Sequence, residues 1–231
     1  MKSTGEEQFT VGQLAMAHPQ ALSVFSKYKI DYCCGGKQTL EEACKAIGIK
    51  DSTIWNELNL VTVPNSLYPT RAHTWDSAFL IDYIVANHHM FVREAVPELL
   101  GLLEKLCSRH GAEYPELFQI QEKFIHLSGD LVMHLDKEEL TLFPAIKRLV
   151  SYTANTPLHR IIKDPLLAME DDHSAAGTLM HEIRSLSNNY APPFDSCTTF
   201  QLTYRRLQEF DNDLMIHVHL ENNILFERFL A

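Results

Sequence analysis

Two copies of one short motif constrain the fold of this chain more than any other feature of its sequence. Residues 134–143, HLDKEELTLF, and residues 217–226, HVHLENNILF, share the pattern His-x-x-x-Glu-x-x-x-Leu-Phe in register. Four residues advance an α-helix by about 400°, so the His and Glu of each copy lie on one helix face, about 6 Å apart. Each pair could therefore bind one metal ion, which would offset the cost of burying the carboxylate.

Each copy of the motif follows another histidine at nearly the same distance. His89 lies 45 residues before His134, and His173 lies 44 residues before His217. A bundle that holds two metal ions uses ligands from four helices in this way. Imidazole and carboxylate ligands without thiolate are typical of iron, manganese or zinc sites. The predicted metal ligands are His89, His134, Glu138, His173, His217 and Glu221.

Helical periodicity leaves one of these positions open. His88 and His89 are about equally in phase with the apolar residues around them, so spacing does not choose between them. His219 lies two residues after His217, about 200° around the helix, and is expected to face away. Six further histidines have no partner pattern and are expected to face solvent: His18, His73, His110, His126, His159 and His181.

Long amphipathic segments predict an all-α fold. Four of them are expected at about residues 75–109, 115–150, 165–190 and 198–230, and their mostly short connections predict an antiparallel four-helix bundle. Pro115 and Pro165 suit the first helical position, where the missing N–H costs nothing. Pro97 lies inside the first segment and is expected to kink it.

The residues before the bundle predict a small helical domain. Short helices are expected from about Thr10, from Pro19, from Thr39 and from Asp51, and Thr39 with Glu42 forms a capping box. The stretch VPNSLYP, with two prolines and no helical period, then interrupts the pattern. We predict a small N-terminal domain at residues 1–62, a linker at 63–74 and the bundle at 75–231.

The composition argues against nucleic acids and membranes as partners. The 30 acidic residues outnumber the 20 basic ones, and no run of Lys or Arg interrupts that excess. No apolar run reaches the length of a signal peptide at the N-terminus, or about 20 residues elsewhere. The expected location is therefore cytoplasmic. Five cysteines, an odd number, are expected to be reduced thiols rather than a disulfide framework.

Together these motifs resemble a known family, the hemerythrin-like di-iron proteins of the ScdA/YtfE type, which repair iron–sulfur clusters. The resemblance covers nearly the whole chain. It is carried by residues 31–36, DYCCGG, by residues 39–44, TLEEAC, and by both His-x-x-x-Glu motifs. It implies a hemerythrin-like bundle with two non-haem iron ions, joined by an oxo or hydroxo group and by bridging carboxylates of Glu138 and Glu221. It also implies that His89, which follows the Ile-Asp-x-Ile-Val stretch, is a ligand in preference to His88.

The resemblance also implies a function. The bundle would supply iron to iron–sulfur clusters damaged by nitrosative or oxidative stress, or help to rebuild them, with damaged iron–sulfur proteins or cluster scaffold proteins as partners. Oxygen-carrying hemerythrins have more histidine ligands, and fewer ligands leave coordination positions open and make iron easier to release. An iron donor is therefore favoured over a conventional enzyme. A homodimer is compatible with this function.

Cys33 and Cys34 are the predicted active residues of the small domain. They precede two glycines, so they are expected on an exposed loop, where Lys37 could lower a thiol pKa. A disulfide between adjacent cysteines is strained. The pair would contact the recipient, accept iron or nitric oxide, or sense oxidation. The plainer alternative is two small buried apolar side chains.

Two other functions are compatible with the same sequence. The first is a di-iron protein that binds or scavenges nitric oxide or dioxygen, with a nitric oxide reducing activity and the small domain as a sensor. The second is a helical interaction protein without metal.

Overall fold

The structure, a computed structural model, describes residues 9–18, 20–60, 69, 71–151 and 158–230, and only the backbone of 158–161. The regular secondary structure of these described residues is helical, with one isolated antiparallel bridge between Thr10 and Thr39, which confirms the all-α prediction. Among the described helices, none combines the length and the apolar character that crossing a membrane requires.

The chain divides into two compact units. Unit one comprises the described residues up to Trp75 together with Val218–Phe229, and unit two comprises Asp76–His217 with Leu230. The last long helix of the sequence therefore contributes residues to both units. The predicted boundaries at residues 62 and 75 differ from this division, and they stay a prediction.

Unit one is built from short helices whose starts are capped by side chains. The Thr10 side chain accepts a hydrogen bond from the backbone of Gln13, and Thr39 and Glu42 form the predicted capping box. Such caps satisfy backbone N–H groups that have no partner within the helix. Pro19, the predicted start of the second helix, lies outside the described residues. The helices are α1 Val11–Ala17, α2 Ala21–Tyr28, α3 Leu40–Ala46 and α4 Asp51–Leu60, followed by a short 3-10 turn at Ala72–Thr74.

The rest of the chain forms long helical segments, and among the described residues three of these four segments are interrupted by a π-helical turn; residues 218–229 of the last one belong to unit one. The turns are Val85–His89, Glu138–Leu142 and Glu221–Phe226. Because the backbone stays helical through each turn, continuous segments run over residues 77–110, 116–151 and 198–230. The helices are α5 Ser77–Ile84, α6 Met90–His110, α7 Glu116–Lys137, α8 Phe143–Ser151, α9 Leu158–Leu186, α10 Thr198–Leu220 and α11 Glu227–Leu230.

The prediction that Pro165 opens the third bundle helix was wrong. Helix α9 begins at Leu158, and Pro165 lies inside it. A proline within a helix removes one hydrogen bond and costs about 3 kcal/mol. Ile162, Leu166 and Met169, which share one helix face across the proline, are buried. Burial of such side chains contributes roughly 1.5–3 kcal/mol each, so together they outweigh the cost.

Aromatic and ionic contacts bring the helices of unit two together. Helix α7 packs against both α6 and α9, and the rings of Phe124 and Phe210 meet edge to face at 5.3 Å, which joins α7 to α10. Asp211 on α10 accepts hydrogen bonds from Arg184 on α9, at 2.8 Å, and from the hydroxyl of Tyr190, at 2.9 Å. These contacts fix the positions from which the histidines of α7, α9 and α10 project.

Candidate metal centre and cysteine loop

Each of the three π-helical turns begins or ends at a predicted metal ligand. The first ends at His89, the second begins at Glu138 and the third begins at Glu221. A π-turn holds an extra residue, which rotates the side chains that follow by about 100° relative to a continuous α-helix. Such turns occur frequently at functional sites.

Unit two brings five of the six predicted ligands together. His89, Glu138 and His217 offer ligand atoms within 4.8 Å of one another, and so do His134, Glu138 and His173. Glu138 belongs to both groups. Its Oε2 lies 3.4 Å from Nε2 of His89 and its Oε1 lies 3.5 Å from Nε2 of His134. One carboxylate oxygen therefore faces each half of the centre.

Glu221, the sixth predicted ligand, follows His217 by four residues within the continuous helical segment 198–230. The six residues are at most 3 % exposed. Burial of so many ionisable groups is costly unless they are paired or coordinate a metal. We refer to the five ligands that unit two brings together as the candidate metal centre.

The distances within this centre suit a metal ion. Nε2 of His134 and Nε2 of His173 lie 2.9 Å apart. Two ligand atoms at about 2.1 Å from one ion and at a right angle to each other are separated by about 3 Å. The donors are imidazole nitrogens and carboxylate oxygens, a set that iron, manganese and zinc accept. The residues present therefore fit the two iron ions that the resemblance implies.

Two histidines of the centre are oriented by carboxylates on their far sides. Nδ1 of His89 lies 2.9 Å from Oε1 of Glu139, and Nδ1 of His134 lies 3.3 Å from Oδ2 of Asp172. A carboxylate at Nδ1 fixes the tautomer and directs Nε2 towards the metal, and this arrangement is general among metal-binding histidines.

Cations at the rim keep these two carboxylates charged. Arg93 donates to Glu139 at 3.0 Å, and Lys137 donates to Asp172 at 3.1 Å. Partial burial alone would raise the pKa of Glu139. The hydrogen bonds with His89 and Arg93 outweigh it and leave that pKa below its ordinary value. The pKa of Asp172 is lowered in the same way, because its contacts with Lys137 and His134 outweigh its partial burial.

The structure places His89, not His88, among the clustered ligands. His88 is also buried, but its Nδ1 lies 2.9 Å from Oδ1 of Asp213, and its ring stacks on that of His217 at 5.7 Å. Among the histidines expected at the surface, the side chain of His159 lies outside the described residues, His110 is half-buried, and the others are exposed, namely His18, His73, His126 and His181.

A cavity of about 200 Å³ between α7 and α9 reaches the half of the centre that contains His134 and His173. Lys137 and Asp172 also line it. Because a water molecule occupies about 30 Å³ in the liquid, the cavity admits water and diatomic molecules to these imidazoles.

Residues 31–36 form the cysteine loop of unit one, which Asp31 organises. Its Oδ1 accepts hydrogen bonds from the backbone N–H of Cys33 at 3.0 Å, from that of Cys34 at 2.9 Å, and from the Cys33 thiol at 3.2 Å. The two Sγ atoms lie 3.7 Å apart, and none of the chain's five cysteines, all within the described ranges, forms a disulfide.

The sequence predicted that the cysteines lie on an exposed loop and that Lys37 could lower a thiol pKa, and both predictions were wrong for Cys33. Its thiol is buried, whereas Cys34 is half-buried. The pKa of Cys33 is raised well above its ordinary value by the hydrogen bond with the Cys34 thiol and by burial, rather than lowered by Lys37. Burial arises because the loop folds back on unit one instead of projecting into solvent.

Asn222 and Asn223, in the same π-turn as Glu221, hold the cysteine loop within unit one. Asn222 donates to the carbonyl of Cys33 at 3.4 Å, and Asn223 donates to that of Tyr32 at 3.1 Å. Nδ2 of Asn223 also lies 2.9 Å from Nδ1 of His219. Burial lowers the pKa of His219 to about 4, so its imidazole is neutral at pH 7 and can accept this bond.

The close approach of Asn223 to the loop requires glycine. A Cβ at Gly36 would lie 2.4 Å from Oδ1 of Asn223 and 2.9 Å from the carbonyl oxygen of Tyr32. Gly36→Ala is therefore expected to lower the free energy of unfolding by about 1–3 kcal/mol. Thermal and denaturant unfolding followed by circular dichroism measure this loss.

Gly129→Ala is the matched control for that substitution. Gly129 lies within α7, and a Cβ there meets nothing within 4 Å. Since alanine is favoured over glycine in a helix by about 1 kcal/mol, this variant is expected to be slightly more stable than the wild type. Equal effects of the two substitutions would contradict the packing described for Gly36.

Sequence reasoning missed several residues that support these sites. Nothing in the sequence marks Glu139 and Asp172, because each simply adjoins a predicted ligand. Asn222 and Asn223 do carry a signal, since they are polar residues between Glu221 and Leu225 in a motif predicted to face the core. Asp31 was part of the family motif, but no role followed from its position.

Comparisons with known proteins agree with this arrangement. The hemerythrin HHE cation binding domain matches residues 80–229, and ScdA_N, a domain of unknown function, matches residues 7–62. The iron-sulfur cluster repair protein YtfE of Yersinia pseudotuberculosis is 34% identical over 222 residues, which are 96% of each chain. The chain belongs to the YtfE-like family of iron–sulfur cluster repair proteins.

Two further relatives also match this YtfE-like protein over 96% of its length. YtfE of Citrobacter koseri is 36% identical over 96% of both chains. A probable iron-sulfur cluster repair protein of Haemophilus influenzae is 35% identical over 96% of this chain and 97% of its own. The bundle of this YtfE-like protein is thus a cation-binding domain of the hemerythrin type.

Proposed function

We propose that this protein holds two iron ions in its bundle and uses them to repair iron–sulfur clusters damaged by nitrosative or oxidative stress. The observation that carries the proposal is that two ligand groups share the carboxylate of Glu138. A carboxylate with one oxygen towards each group suits a pair of metals rather than one. The names of the relatives support cluster repair as the task.

His89 and His217 would hold one iron ion, and His134 and His173 would hold the other. Glu138, and Glu221 by its position one helical turn after His217, would bridge the two. When bound, the iron pair supplies exchangeable iron and open coordination positions for small molecules. The small number of protein ligands favours release.

Residues around the ligands control the orientation of the imidazoles and access to the metal centre. Glu139 and Asp172 hold the imidazoles of His89 and His134 in place. Lys137 and Asp172, which also line the cavity, place a polar, charged pair on the side of the centre that the cavity reaches. This cavity is a route by which iron or small ligands would be exchanged.

The recipients would be damaged iron–sulfur proteins or cluster scaffold proteins, with Cys33 and Cys34 acting at the recipient. Cys34 is half-buried, so its thiol can be reached from solvent. The net charge of −10 argues against nucleic acid as a recipient. A cytoplasmic location would suit these recipients.

A second candidate function is capture of nitric oxide or dioxygen. The cavity beside His134 and His173 favours it, because diatomic molecules can enter there. The names of the relatives favour repair instead.

A Cys33→Ala/Cys34→Ala variant tests whether repair depends on the cysteine loop. For repair, we expect the iron content to be unchanged and the reactivation of a nitrosylated iron–sulfur enzyme to fall to the rate measured without protein. Nitric oxide consumption by the loaded variant should persist in either case. Cys197→Ala removes an exposed thiol of unit two and serves as the control. Full reactivation by the double variant would show that repair does not need the cysteine loop.

A further inference from the structure

The cysteine loop places together three metal-binding side chains that are not among the predicted ligands of the bundle. Asp31, Cys33 and Cys34 each offer one ligand atom, and these atoms lie within 4.8 Å of one another. All three belong to unit one.

The distances match those of a four-coordinate site. Two thiolates at about 2.3 Å from a tetrahedral ion are separated by about 3.8 Å, and the Sγ atoms of Cys33 and Cys34 lie 3.7 Å apart. A carboxylate oxygen at about 2.1 Å from the same ion would lie about 3.5 Å from each sulfur. Oδ1 of Asp31 lies 3.2 Å from Sγ of Cys33. Small shifts would thus bring all three atoms onto one ion.

The same distances oppose a disulfide. Bonded sulfurs are about 2.0 Å apart, so the two thiols would have to approach by a further 1.7 Å or so within a strained ring of adjacent residues. Hydrogen bonds hold the loop in the dithiol arrangement. Asn222 and Asn223 donate to its carbonyl oxygens, and Asp31 accepts from the backbone N–H groups of the two cysteines. Such preorganisation lowers the cost of binding a ligand.

We propose that Asp31, Cys33 and Cys34 form a second metal site, which takes a thiophilic divalent ion such as Fe²⁺ or Zn²⁺. On binding, each thiol gives its proton to solvent, so that two thiolates and one carboxylate contact the ion. Thiolates select these ions over Mg²⁺ and Ca²⁺. Because Asp31 is exposed and Cys34 half-buried, the fourth position faces solvent, where water or a side chain of another protein can occupy it.

Cobalt(II) titration of the reduced, full-length protein with an iron-loaded bundle tests this site. Thiolate-to-cobalt charge-transfer absorption reports cysteine ligation, and the candidate metal centre contains no thiolate. We expect this absorption to saturate at one Co²⁺ per chain and to be lost in Cys33→Ser and in Cys34→Ser. Asp31→Asn keeps an oxygen for the two N–H groups but removes the charge, so the affinity should fall at least about 10-fold.

Three controls make the titration specific. Cys44→Ser and Cys197→Ser should leave the absorption unchanged, because these thiols lie outside the cluster. Glu122→Ala, which removes an exposed carboxylate of α7, should also leave it unchanged. Absence of thiolate-to-cobalt absorption in the wild type would overturn the proposal, whether or not the variants fold. The same absorption in Cys33→Ser and in Cys34→Ser would overturn it as well.

Discussion

Glu138→Ala is expected to lower the iron content of the protein from about two ions per chain to a small fraction of one. Its carboxylate belongs to both ligand groups and faces His89 and His134 at 3.4 and 3.5 Å. Removal of one side chain therefore takes a ligand from both ions. Elemental analysis after anaerobic loading and desalting measures the content.

Two other glutamates of the same helical segment provide a graded comparison. Glu122→Ala alters an exposed carboxylate on α7 and should leave the iron content unchanged. Glu139→Ala removes the group that orients His89 and is expected to weaken iron binding by about 10–100-fold without abolishing it. Retention of two iron ions by Glu138→Ala would contradict the assignment of Glu138.

Removal of the iron is expected to lower the unfolding temperature by roughly 8–16 °C. A ligand present at about 1,000 times its Kd stabilises the folded state by about 4 kcal/mol, and 1 kcal/mol shifts the Tm of a protein of this size by about 2–4 °C. The physical source is the buried group of four imidazoles and the Glu138 carboxylate in unit two, which remain poorly solvated without the metal.

Calorimetry of the chelated and the iron-loaded protein measures this shift. The Glu138→Ala variant is the control, because iron should change its Tm by less than about 2 °C if binding is lost. Equal unfolding temperatures of the chelated and loaded wild type would show that the buried cluster does not depend on metal for its stability.

The repeated motif was enough to predict the fold class and the facing His and Glu pairs, because i,i+4 spacing is nearly independent of the surroundings. Spacing could not separate His88 from His89, and the structure shows a physical reason. Both lie in the π-turn Val85–His89, where the backbone departs from the 3.6-residue period on which such reasoning depends. The family resemblance indicated His89, and the structure clusters that residue with Glu138.

Contacts between residues distant in sequence account for what sequence reasoning did not find. Asp172 meets His134 only because α7 packs on α9. The burial of Cys33 depends on Asn222 and Asn223, about 190 residues further along the chain. Local sequence patterns do not indicate contacts between residues so far apart in the sequence. The start of α9 before Pro165 was missed because the apolar face of that helix outweighs an unfavourable residue.

Iron analysis of the wild-type protein, purified anaerobically, with an optical spectrum after oxidation, tests the di-iron centre most directly. We expect two iron ions per chain and the near-ultraviolet absorption of a bridged ferric pair. An iron content near zero, or a single ion per chain without that absorption, would contradict a di-iron centre built on His89, His134, Glu138, His173, His217 and Glu221.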